Sequence, residues 1–204
     1  MCKTILFIGG SPCSGKSTVA ERISREFGAY YFKVDEILGE LLDEAAAQGH
    51  SACALVRTLS PEENWMRDPF VQCREEYQIY QEIAPLVFHR IDQIQADLII
   101  TEGAAYTPQV MAARKERYIT IVPTPDFQIS HYRQREWVPF VLAECTDKEA
   151  AFRNWMQRDV LFAKQVQEDC RRSGVPCIVN GGDISEDEMF RQVTELLGLN
   201  TKEA

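Results

Sequence analysis

The sequence predicts an α/β fold in which a parallel β-sheet is covered by helices on both faces. Three observations lead there. Five short apolar runs rich in β-branched residues alternate with helical patterns along 204 residues. The first run leads straight into a glycine-rich turn and then a helix, the setting of a phosphate-binding loop. The hydrophobic fraction, 45%, suffices for one α/β domain spanning residues 1–204 with its own core.

In chain order, Thr4–Ile8 reads as a buried strand. Ser17–Phe27 then places Val19, Ala20, Ile23 and Phe27 on one helical face. Tyr30–Val34 is the second strand and ends at Asp35. Residues 36–97 read as largely helical, first over Glu36–Gln48 and then from Pro61, with Pro85 expected to kink or divide the second part. Leu98–Thr101 is the third strand, ending at Glu102-Gly103, and Tyr118–Val122 is the fourth, stopped by Pro123. Between Gln128 and Arg172 come His131, Arg133 and Arg135, an expected loop over Trp137–Thr146, and a long helix starting near Asp147. Cys177–Val179 is the fifth strand, followed by Asn180-Gly181-Gly182 and a last helix after Ser185. Ligands of parallel sheets bind at the carboxyl ends of the strands, where Gly10, Asp35, Glu102 and Asn180 all fall.

The run Gly10-Ser11-Pro12-Cys13-Ser14-Gly15-Lys16-Ser17 fits G-x-x-x-x-G-K-[ST], with Thr18 next in the helix. Its two glycines let the backbone bend so that loop N–H groups converge on a polyphosphate, above the positive end of a helix. Lys16 is expected to reach the β- and γ-phosphates and the Ser17 hydroxyl to ligate Mg²⁺. The pattern implies a nucleoside triphosphate, with ATP and Mg²⁺ as cofactors. Cys13 is either an oxidation-sensitive thiol or a tolerated small residue.

Seven scattered cysteines form no C-x-x-C pair, which suggests free thiols in a reducing cytoplasm. No apolar run approaches a membrane span. A net charge of −9 argues against a general nucleic-acid binder. Between Glu36 and Asp97, twelve acids meet only Arg57, Arg67, Arg74 and Arg90, so the acidity belongs to one segment. That segment is either a cap on the acceptor side or a solvated acidic decoration. A nucleoside monophosphate needs several cations, so the acidity leans towards a neutral or cationic hydroxyl acceptor. The three histidines show no ligand spacing, and Trp137 and Trp155 read as core residues or as platforms for a base.

These parts resemble the small P-loop kinases, the group of adenylate-kinase-like, shikimate-kinase-like and nucleoside-kinase-like enzymes. The resemblance implies a three-layer α/β/α P-loop NTPase fold with sheet order 2-3-1-4-5, an acceptor-side insertion over 36–97 and a lid over 128–158. Asp35 resembles the carboxylate that shikimate-kinase-like enzymes place beside the acceptor hydroxyl; by its residue type it is also a candidate helix N-cap. Arg133 and Arg135 resemble lid arginines. Arg158-Asp159-Val160-Leu161-Phe162-Ala163 resembles R-x-x-L-Y-x-x-x-A, whose arginine contacts acceptor and phosphates, with Phe162 where tyrosine is usual. Asn180-Gly181-Gly182-Asp183 resembles the turn that holds adenine. Glu102-Gly103-Ala104-Ala105 replaces the glycine triplet of shikimate kinases and looks like a carboxylate that holds Mg²⁺ through water; Glu102 is also the alternative base, and Gly103 is expected to let an acceptor approach the backbone. Glu102-Gly103 and Asn154–Asp159 are similar to stretches of uncharacterised bacterial nucleotide-kinase-like and AAA-type ATPase proteins. The resemblance implies a kinase acting on a small-molecule acceptor, as monomer or homodimer. A nucleoside monophosphate kinase and an ATP-binding regulatory protein without phosphotransfer stay open as alternatives.

Overall fold

The computed structural model describes residues 3–199. Five strands, β1 (Thr4–Gly10), β2 (Tyr30–Lys33), β3 (Leu98–Glu102), β4 (Arg117–Pro123) and β5 (Cys177–Asn180), pair in parallel in the order β2-β3-β1-β4-β5. Both the order and the parallel sense agree with the sequence expectation. The registers Phe7↔Thr101, Ile8↔Glu102 and Lys33↔Glu102 bring the ends of β1, β2 and β3 side by side.

Strand alternation sends successive side chains to opposite faces. Leu6 and Ile8 join Ile100, Ile119 and Ile121 under α1 (Lys16–Phe27) and α10 (Glu186–Leu196). Ile5 and Phe7 turn the other way, towards α5 (Pro69–Asp92) and α9 (Lys148–Ser173). A third cluster, built on Tyr132, Phe152 and Trp155, joins α9 to α7 (Pro125–Arg133) and α8 (Val138–Val141).

Between β2 and β3 the chain forms α2 (Val34–Ala47), α3 (Ser51–Thr58), α4 (Pro61–Trp65) and α5. Pro85 does not divide α5, which is one continuous helix. Tyr80, Ile83, Val87 and Ile91 anchor it in the core on both sides of the proline. Burying large side chains yields about 1.5–3 kcal/mol each, which outweighs the roughly 3 kcal/mol penalty of one interior proline. The segment Trp137–Thr146 is also not all loop, since it contains the single turn α8. The start of α9 agrees with the sequence: Asp147 is its N-cap and accepts from the Ala150 N–H at 2.9 Å.

Candidate phosphate-binding and transfer site

The loop between β1 and α1 packs hard against β4. A Cβ on Gly10 would lie 1.8 Å from the Ile121 carbonyl oxygen, and Gly10 has φ +120°, so no side chain fits there. Cys13 also takes a left-handed φ of 61°, a conformation that costs a non-glycine residue of order 1 kcal/mol. Lys16 is buried, and its Nζ donates to the Ser11 carbonyl at 2.8 Å, folded back across the loop.

Ser17 and Glu102 meet beside it. The Ser17 hydroxyl donates to Glu102 Oε1 at 3.1 Å, and the Tyr31 hydroxyl donates to the same oxygen at 2.9 Å. Glu102 is 3% exposed, and its Oε2 has no hydrogen-bond partner among the described residues. Burial, and then the Glu102 carboxylate, push the Tyr31 phenol well up, so it stays a donor. One hydroxyl and one carboxylate with a spare buried oxygen suit Mg²⁺, which keeps most of its waters and takes few protein ligands. Tyr31 was missed in the sequence, although it sits on the second strand one position from the end of the apolar run.

Asp35 differs in detail from its expected place. Val34 is already helical, Lys33 is the N-cap residue of α2, and Asp35 lies in the first helical turn, so it caps nothing. Val34 is fully buried against Gly103, which draws the helix start one residue earlier. The space that a Gly103 Cβ would need is therefore filled by Val34, 3.0 Å away, and is not open to an acceptor. Asp35 is exposed as a whole residue, but its carboxylate lies within electrostatic range of Lys16, Glu102 and Glu76. Burial pushes its carboxyl up; Lys16 opposes the shift, while Glu102 and Glu76 add to it.

The arginines separate. Arg135 lines a cavity of about 340 Å³ that opens on Cys13, Gly15 and Thr18. Its charge lies within electrostatic range of the Cys13 thiol, which burial nonetheless pushes up, away from thiolate reactivity. Arg133 lies apart from this cavity, over the Phe152 ring and 3.4 Å from Glu149. Arg158 is enclosed in a charged cluster. Its Nη1 is 2.7 Å from Glu76 and its Nε 2.6 Å from Asp159, with the guanidinium over Trp65. Tyr80 donates to Glu76 at 2.7 Å, and burial pushes the Asp159 carboxyl up despite Arg158. Trp155 stacks on Trp65 with ring centroids 4.5 Å apart, so it serves the core, whereas Trp137 remains partly exposed.

Removing the only cation of that cluster leaves two buried carboxylates facing each other. Arg158→Met is expected to lower the unfolding free energy by about 3 kcal/mol, measured by urea denaturation. A loss below about 1 kcal/mol would show that the cluster is not electrostatically buried.

Near the end of β5, the cavity is walled by Asn180, Gly182, Ile184 and Met189, with Phe127 packed against Gly182 and His131 beside it. Asn180 itself points to the phosphate loop, donating to the Ser14 carbonyl at 3.1 Å. From the other side, Gln128 donates to Ser11 and Pro12. Sequence reasoning missed Gln128, although it shares a helical face with Tyr132 at a spacing of four.

No family model matches the chain, and no curated protein matches it. Solved structures do. TT1252 from Thermus thermophilus is 16% identical with a TM-score of 0.52, over 99% of this chain and 100% of that one. The shikimate kinase of Bacteroides thetaiotaomicron is 15% identical with a TM-score of 0.51, over 96% and 99%. An uncharacterized protein from Eubacterium ventriosum is 14% identical with a TM-score of 0.50, over 97% and 100%. Together with the sheet order and the loop between β1 and α1, these likenesses define a small P-loop kinase-like fold.

Proposed function

We propose that this protein is an ATP- and Mg²⁺-dependent kinase that transfers the γ-phosphate to a small hydroxyl-bearing acceptor carrying no phosphate of its own. The observation that carries it is the proximity of four groups: Ser17 bonds Glu102, and Asp35 lies within electrostatic range of both Glu102 and Lys16. Charge neutralisation, metal binding and acceptor orientation are the three needs of phosphoryl transfer, and each has a candidate group there.

Lys16 would exchange the Ser11 carbonyl for the β- and γ-phosphates, with the amides of Gly10–Thr18 around them. Ser17 and Glu102 would hold Mg²⁺, whose contribution when bound is to neutralise developing charge on the phosphate oxygens. Asp35 would accept the acceptor's proton, with Glu102 as the alternative base. Residues 128–158 would form the lid, with Arg135 closing over the phosphates and excluding water. Arg133 and Arg158 would then serve to hold α7 and α5 against α9. Asn180, Gly181 and Gly182 would wall the adenine end.

The acceptor class follows from the arginines of residues 36–97. Arg57 pairs with Asp43 at 2.7 Å, Arg67 with Glu75 at 2.5 Å and Arg90 with Glu44 at 2.7 Å. Arg158 on α9 is already matched by two carboxylates. Arg74 lines a separate groove between α5 and α9. A phosphate dianion on the acceptor would find only Arg74 unmatched among these, and Arg74 faces that other groove, which disfavours a nucleoside monophosphate.

The test is to incubate the protein with γ-labelled ATP, Mg²⁺ and a panel of nucleosides, sugars and amino alcohols, with nucleoside monophosphates alongside. Labelled product from the first group supports the reading; label appearing only in nucleoside diphosphates overturns the acceptor class, and none at all overturns the kinase. Once an acceptor is known, Glu102→Gln is expected to raise the half-saturating Mg²⁺ concentration about tenfold or more, read from a Mg²⁺ titration of the rate. An unchanged requirement would remove Glu102 from the metal site.

A further inference from the structure

Two side-chain carboxamides tether the phosphate loop from outside, and phosphoryl transfer itself needs neither. Gln128, in the first turn of α7, is fully buried; its Nε2 donates to Ser11 Oγ and to the Pro12 carbonyl, both at 3.0 Å. The Pro12 carbonyl can only accept, so this atom must be the nitrogen. The choice leaves Gln128 Oε1 buried without a partner among the described residues. Asn180, the last residue of β5, donates from Nδ2 to the Ser14 carbonyl and accepts at Oδ1 from the Gly182 N–H at 3.0 Å.

A trans peptide is planar, and its C=O points opposite to the N–H of the following residue. The described residues contain no cis peptide. Holding the Pro12 carbonyl outward therefore turns the Cys13 N–H inward. Holding the Ser14 carbonyl does the same for the Gly15 N–H. Cys13 and Gly15 are the two loop residues here that combine a positive φ with such an inward amide, the geometry that makes a backbone anion nest.

We propose that Gln128 and Asn180 are positioning residues that keep the Cys13 and Gly15 N–H groups aimed at the polyphosphate before it arrives. The proposal rests on the nucleotide-binding reading above. Dipoles fixed in advance need no reorganisation when the charge enters, so the benefit appears as phosphate affinity. Gln128 adds a mechanical link. It shares the face of α7 with Tyr132 and leads to Arg135, so the base of the proposed lid sits on the same loop peptides that meet the phosphates.

The experiment is an amide NMR titration of the full chain with inorganic tripolyphosphate and Mg²⁺, which needs neither adenine nor acceptor. In the unaltered protein, the Cys13 and Gly15 amide protons are expected to shift downfield and saturate. Gln128→Met keeps the side-chain volume but cannot donate. It should weaken affinity about tenfold and abolish the Cys13 shift at saturation while the Gly15 shift persists. Asn180→Ala should do the reverse, so either variant alone decides the matter if the other does not fold. Variants that lose thermal stability yet keep wild-type affinity and both amide shifts would show the carboxamides to be packing only, and the proposal would be wrong. An unaltered protein with no response to tripolyphosphate would overturn the nucleotide reading itself.

Discussion

Lys16→Ala is expected to abolish phosphotransfer, lowering the turnover rate by about a thousandfold or more while the protein stays folded. Lys16 is the cation placed against the donor phosphates, and charge stabilisation of this kind is worth about 10²–10³ in rate for one ordinary donor and more for a cation. Its amine is buried and, among the described residues, held only by the Ser11 carbonyl, so its removal strands one backbone acceptor and no carboxylate. A neutral carbonyl left unpaired costs about 1–3 kcal/mol, which a domain of this size can bear. The check is a rate measured at saturating ATP beside a thermal melt. A variant that keeps more than a tenth of the rate would place the phosphate-contacting cation elsewhere, with Arg135 the next candidate because it lines the same cavity.

Donor and acceptor sides differ in how they are built. The donor side is local: eight consecutive residues carry the turn, the amides, the cation and the hydroxyl, and the strand and helix around them are short-range structures. Its shape was therefore legible in the sequence, as were the five strands and the strand-end placement of Glu102. The acceptor side is assembled from distant parts. That Arg158 is matched by Glu76 depends on α5 packing on α9, which no periodicity announces. Val34 looked like strand because it is β-branched, but burial against Gly103 decided for helix. The two lid arginines could have been separated in advance. Residues two apart near a helix end point about 200° apart, so Arg133 and Arg135 could not both face the cavity while the helix continued. Gln128 shows the opposite lesson. A glutamine has no motif of its own, and only the fold reveals that its amide reaches back to the phosphate loop.

Asp35→Asn is expected to lower kcat by about a thousandfold and to change KM for the acceptor by only a few-fold, because an amide keeps the shape and loses the proton acceptor. The pH profile gives the sharper reading. A general base works only when ionised, and burial, with Glu102 and Glu76 nearby, raises the pKa of Asp35 despite Lys16. A raised pKa means that protonation begins at a higher pH than for an ordinary carboxylate. The acid limb of kcat/KM is thus expected at a higher pH than an ordinary aspartate would give, falling tenfold per pH unit as the pH drops, and Asp35→Asn is expected to erase that limb along with most of the rate. Mg²⁺ titrations at each pH keep metal loss at Glu102 from imitating the effect, since added Mg²⁺ restores a metal defect and leaves a missing base untouched. If Asp35→Asn retains both the acid limb and the rate within fivefold, the proton is taken elsewhere. Glu102 then becomes the base, and Asp35 only helps to bind the acceptor.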